Sequence, residues 1–144
     1  MNPKAYLKRY RLAWFEITRR KKEIEDLKQI LMLGSVDYTK ERVQSSPKDT
    51  MAQIMSTAVD LEAKLNDEIK ELMKIRDEVV SVINKVSDER LKTILSLRYI
   101  SGETWESIAE VLDLTSRWVQ MLHGDALQEV RKIIENDTVH GSSY

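Results

Sequence analysis

Apolar side chains recur at Leu7, Tyr10, Trp14, Ile17, Ile24, Leu27 and Leu31, in the three- and four-residue steps of one helical face. Asn2-Pro3 suits the start of that helix, because asparagine can cap it and proline has no amide hydrogen to leave unpaired. Gly34 is a natural stop, so the spacing predicts a helix over 3–33. Residues 34–46, with Ser35, Ser45 and Ser46, read as a connection. Ser46-Pro47-Lys48-Asp49 then opens a second helix: serine caps, proline follows, and the aspartate favours the positive end of the helix. A heptad pattern runs on from there. Met51, Ala58, Leu65, Leu72, Val79 and Val86 form one set, and Ile54, Leu61, Glu68, Ile75 and Val82 the other. Glu68 alone breaks this coiled-coil seam. Two long helices with one connection most simply fold back as an antiparallel hairpin. Each carries an apolar stripe that could also receive a second copy of the chain.

The pattern shortens after Ser87-Asp88-Glu89, a fresh helix start in which serine can cap and the acids favour the first turn. Three helices are predicted near 88–100, 104–112 and 115–135, with a polar, flexible tail over 136–144. The expected fold is all-α: a long helical hairpin over 1–86, serving as scaffold and dimerisation region, followed by a three-helix domain over 87–135.

That last domain has the pattern of a helix-turn-helix. Ile108 and Ala109 supply the close helix crossing, and Leu112 and Leu114 flank the turn. Asp113 stands where such a turn often has glycine, and aspartate tolerates a left-handed backbone better than most residues. Thr104 and Thr115 can cap the two helices. Val119, Leu122, Ala126, Leu127 and Val130 make an inward stripe. Thr115, Ser116, Arg117, Trp118, Gln120, Met121 and His123 are then the candidate DNA-binding residues, near the half of the helix that meets base edges. Arg117 has the chemistry to donate to guanine and Gln120 to pair with adenine. Both also suit a plain solvated surface. Trp118 suits thymine methyls, the sugar backbone, an intramolecular contact or a dimer seam. Gly124 is costly inside a helix, and a close approach by backbone or another helix would explain it.

Charge changes this picture. Residues 1–33 carry a net +5, residues 34–87 a net −2 and residues 88–135 a net −3, within a chain of net −1. The segment expected to meet DNA is therefore acidic, which counts against strong non-specific affinity. Arg19-Arg20-Lys21-Lys22 could touch phosphates, although such runs are more often solvated faces. The absence of cysteine excludes disulfides and thiolate metal sites, and His123 and His140 are too few for metal ligation. No catalytic constellation is present in the pattern, so neither an enzyme nor a cofactor is expected. No apolar run reaches a membrane-spanning length, and the N-terminus lacks a signal-peptide core, which suggests a cytoplasmic protein.

The run Leu97-Arg98-Tyr99-Ile100-Ser101-Gly102-Glu103-Thr104-Trp105-Glu106-Ser107-Ile108-Ala109 resembles the helix-turn-helix of sigma-factor region 4. It is similar in particular to phage- and prophage-encoded sigma-like regulators of Gram-positive bacteria. These include late-operon activators of the ArpU/RinA type and a related phage domain family of unassigned function. His123-Gly124-Asp125-Ala126-Leu127 looks like the end of the same motif. Glu41-Arg42-Val43-Gln44-Ser45-Ser46-Pro47 with Asp60-Leu61-Glu62 looks like its upstream signature. The resemblance spans about 38–134. It implies a sigma region 4-like domain, binding of double-stranded DNA near a promoter, contact with RNA polymerase, and action in a bacterial host cytoplasm. Asp125, where related sequences often carry a basic residue, and the acidic segment are departures from that pattern. They suggest that affinity depends on a homodimer, a higher homo-oligomer or a partner protein.

The leading expectation is a sequence-specific transcriptional regulator of phage or prophage type. Two other readings share these features. One is the small DNA-recognising subunit of a phage terminase, an analogy of fold. The other is a sigma-like interaction module that contacts RNA polymerase without DNA.

Overall fold

The computed structural model describes residues 2–34 and 47–141. Among them are five helices: α1 (Pro3–Gly34), α2 (Pro47–Asn84), α3 (Glu89–Tyr99), α4 (Trp105–Leu112) and α5 (Ser116–Gly141). The described residues contain no strand. The fold is all-α, with α1 and α2 as a long antiparallel hairpin and α3–α5 as a helix-turn-helix. Two compact units result, Trp14–Glu71 and Met1–Ala13 with Leu72–Tyr144.

Local chemistry explains the helix limits. Asn2 Oδ1 accepts from the Lys4 and Ala5 amides at 2.9 and 3.4 Å, which satisfies donors that α1 cannot pair internally. Helix α2 starts at Pro47, as the Ser-Pro signal predicts. Ser46 and the connection over 35–46, with the Arg42 segment, lie outside the described residues. Helix α3 is capped by Asp88, not by Ser87. Asp88 has an extended backbone, and its Oδ1 accepts from Leu91 N at 3.0 Å. Helix α5 continues to Gly141, past the expected end at 135, so the segment expected as a flexible tail begins inside a helix. Asn136–His140 contains neither proline nor glycine to stop it. Thr138 Oγ1 donates to Ile134 O at 2.9 Å, and Lys85 Nζ meets Asp137 Oδ2 at the same distance.

In the unit Trp14–Glu71, Ile24 and Ala58 are buried, while Trp14, Ile17, Leu27, Leu31, Ile54, Leu61 and Leu65 are half-buried. The apolar stripe of α1 and the heptad of α2 thus face each other. Arg20 Nε lies 2.7 Å from Glu68 Oε1, and Lys28 Nζ lies 2.5 Å from Glu62 Oε1. Residue numbers rise along α1 as they fall along α2, which is the antiparallel arrangement. Glu68, the break in the heptad, has its partner in Arg20. The contact is an ion pair without hydrogen-bond geometry, and Arg20 Nε is buried with no hydrogen bond.

The other unit has a core drawn from both long helices and from the helix-turn-helix. Leu7 of α1 packs with Val79, Val82, Ile83 and Val86, with Leu91, Leu95 and Tyr99 of α3, and with Ala126 and Val130 of α5. Full burial of each large apolar side chain contributes roughly 1.5–3 kcal/mol. A second cluster, Ile94, Ile108, Ala109 and Val119, holds the helix-turn-helix together, and Leu122 packs against both clusters. The core therefore takes residues from both sides of the sequence division at 86.

Candidate nucleic-acid interface

The turn between α4 and α5 has the caps that the sequence predicts. Thr104 Oγ1 accepts from Ser107 N and Thr115 Oγ1 from Trp118 N, both at 3.1 Å. Asp113 adopts φ 56° and ψ 48°, the left-handed conformation. Leu114 N donates to Ala109 O at 2.9 Å and Asp113 N to Glu110 O at 3.3 Å. These two bonds form a Schellman stop that satisfies the last carbonyls of α4. Ile108 and Val119 are fully buried where the helices cross, and Ala109 is nearly so. The orientation of α5 is thus set by packing, capping and one special backbone angle together.

On that support the exposed half of α5 brings together Arg117, Trp118, Gln120 and Met121. Trp118 and Met121 are 45% and 57% exposed, although burial would be the favourable state for such side chains. Ser116 is half-buried, and its Oγ accepts from Gln120 Nε2 at 3.3 Å, which orients the amide. Thr115 is exposed, but its hydroxyl oxygen is committed to the cap.

His123 is the exception among the candidate residues. It is buried, so it does not share the exposed face. The reason is periodicity: His123 lies four residues after Val119 and three before Ala126, both of which are fully buried. Its Nε2 is 2.7 Å from Tyr99 Oη, and the Trp105 ring meets it edge-on at 4.7 Å between centroids. Burial depresses the imidazole pKa to about 4, and the positive charges of Lys4 and Arg98 push the same way. Burial also raises the Tyr99 hydroxyl to about 12. A neutral ring that bridges α3 and α5 is a core element. Its polar identity hid this role in the sequence, where the stripe of four- and three-residue steps was the signal that could have revealed it.

Three further side chains gain definite places. Arg98 stacks over Trp105, with Cζ 4.2 Å from the ring centroid, and donates from Nη1 to Glu103 O at 2.9 Å. Beyond its own helix backbone, no described residue comes within 4 Å of where a Cβ on Gly124 would stand, so the expected intramolecular close approach is absent among the described residues. Gly102 does have such a neighbour. Its φ is +74°, and an added Cβ would lie 2.5 Å from Arg11 Nη2.

The basic run over 19–22 is largely engaged by acids. Arg19 pairs with Glu16 at 2.6 Å, Arg20 with Glu68 at 2.7 Å and Lys22 with Asp26 at 3.4 Å. These pairs support the reading of a charged structural face. No helix among the described residues is long and apolar enough to cross a membrane.

In comparison with known protein families, residues 88–132 match Sigma-70, region 4. No curated protein and no solved structure matches the chain. The matched segment begins at the Asp88 cap and includes all of α3 and α4 and most of α5. This part of the chain is similar to the helix-turn-helix of sigma-factor region 4.

Proposed function

We propose that the protein is a sequence-specific, DNA-binding transcriptional regulator of phage or prophage type. The observation that carries this reading is the outward face of Arg117, Trp118, Gln120 and Met121 on a helix held by the Thr115 cap and the Asp113 turn. Arg117 and Gln120 would read base edges in the major groove, Trp118 and Met121 would make apolar contacts, and Ser116 would orient Gln120. The protein works in this reading in the cytoplasm of a bacterial host.

The domain roles divide in the same way, with scaffold and self-association assigned to residues 1–86, DNA recognition to 87–135 and no role to 136–144. The unit Trp14–Glu71 leaves Phe15, Ile30, Met55 and Val59 about half exposed or more, which supports a homodimer or higher homo-oligomer formed through the hairpin. The sigma-like segment also supports contact with RNA polymerase.

Selection of bound fragments from host and phage DNA at near-physiological salt tests the proposal. One enriched motif upstream of an operon is the expected result. A motif at a packaging site, with a light-scattering mass of a ring, would replace it with the terminase small-subunit reading. No enrichment at any salt would sink DNA readout and leave a module that contacts polymerase.

A further inference from the structure

The helix-turn-helix segment 88–135 has a net charge of −3, yet DNA affinity needs cations against phosphates. The compact unit that contains it also contains residues 1–13, which carry Lys4, Lys8, Arg9 and Arg11 and no acid. Leu7 anchors this piece of α1 in the same core as Ala126 and Val130 of α5. Lys4, Lys8 and Arg11 follow one another at four- and three-residue steps, so they lie along one side of α1 over roughly 10 Å.

The Arg11 end of that row lies against the helix-turn-helix, and the charge at the other end reaches it. The Arg11 guanidinium covers Gly102 in the turn before α4. The charge of Lys4 acts on His123 in α5. Lys4 and Lys8 are exposed. Arg9, on another side of α1, is instead paired with Glu78 at 2.6 Å.

Next to His123, Gly124 lies on the outer side of α5, seven residues after Arg117 and three after Met121, which is the same face. Glycine in a helix interior costs about as much as any residue except proline, and no described residue occupies the space it leaves. An approach from outside the chain is what such a position permits.

We propose that the Lys4–Lys8 edge of α1 and the open face of α5 at Gly124 together take the sugar–phosphate backbone of double-stranded DNA. The amino-terminal helix thereby supplies the cations that the acidic helix-turn-helix lacks. This inference rests on the DNA-binding reading above and adds sequence-independent contacts to it.

The test is titration of a labelled duplex with the full chain over a range of salt, with thermal melting in parallel. For the Lys4→Gln, Lys8→Gln double variant, the slope of log K against log salt should fall by about 2, equally for specific and unrelated duplexes. Its melting temperature should be unchanged, because both side chains are exposed. Gly124→Ala should melt higher and still bind on the order of tenfold more weakly. An unchanged salt slope overturns the phosphate edge, and a Gly124→Ala variant that binds like the wild type overturns the strand approach at α5. In both cases loss of binding by Arg117→Ala would leave DNA readout itself standing. A wild-type chain without salt-sensitive binding would remove the underlying reading and this inference with it.

Discussion

Tyr99 Oη and His123 Nε2 lie 2.7 Å apart in the core between α3 and α5, and the imidazole is held neutral by its burial. Its pKa of about 4 is below the ordinary 6.5, so the unfolded chain binds the proton more readily between those values. Stability from this site is therefore complete above about pH 6.5 and declines as pH falls towards about 4. The loss should be on the order of 2–3 kcal/mol across that window. Carboxylates add their own slope there, so the comparison is with His123→Gln, which offers Tyr99 a polar partner and does not titrate. Urea unfolding at stepped pH should give the variant a flatter profile. Identical slopes for the two proteins would show that His123 does not titrate as its burial dictates.

Arg20 and Glu68 form a partly buried ion pair in the seam of the hairpin. Removing one partner strands the other charge, so Glu68→Ala should lose about 1 kcal/mol or more. Replacing both by apolar residues, Arg20→Met with Glu68→Leu, should restore or exceed the original stability. The polar pair also marks the register between α1 and α2. The double variant is therefore expected to show a broader distribution of oligomers by light scattering. A double variant as unstable as the single one would mean that the pair stabilises the hairpin outright.

Asp113 carries the only positive φ among the described residues other than glycine. Asp113→Gly should leave stability within about 1 kcal/mol, since glycine enters this conformation without steric cost but loses more chain entropy. Asp113→Val should cost about 1–2 kcal/mol or more, because a β-branched side chain clashes there. Denaturant midpoints of the two variants measure the difference. Equal loss in both would assign the role to the aspartate carboxylate and not to the backbone.

Arg117 and Gln120 are exposed and belong to neither apolar cluster. The double change to alanine should relax sequence preference, with about 1–3 kcal/mol of discrimination lost per base contact, while the melting temperature stays the same. Binding of a selected motif against a shuffled duplex measures that preference. Unaltered discrimination would move base readout away from these two residues.

Much of this molecule is written over short stretches of sequence. The stripe from Leu7 to Leu31, the heptad from Met51 to Val86, the Asn2, Thr104 and Thr115 caps and the Asp113 turn are each specified within a few residues. Hydrogen bonds at helix ends and side-chain periodicity are short-range, so they can be read locally. The exposed face at Arg117, Trp118, Gln120 and Met121 follows from that periodicity. The same rule places His123 inward, where its polar chemistry suggested the opposite.

What the tertiary structure decided depends on residues far apart in the chain. Glu68 interrupts a heptad until Arg20 is brought against it, and only the fold brings Arg11 over Gly102, whose positive φ already favours glycine. Hairpin and helix-turn-helix could have been joined loosely near Ser87. Instead Leu7, Val82, Leu95 and Val130 meet in one core, and with them the basic start of α1 comes to the acidic helix-turn-helix. Burial of apolar surface is non-directional, and its winning arrangement depends on the fit of whole faces. No local pattern encodes that fit.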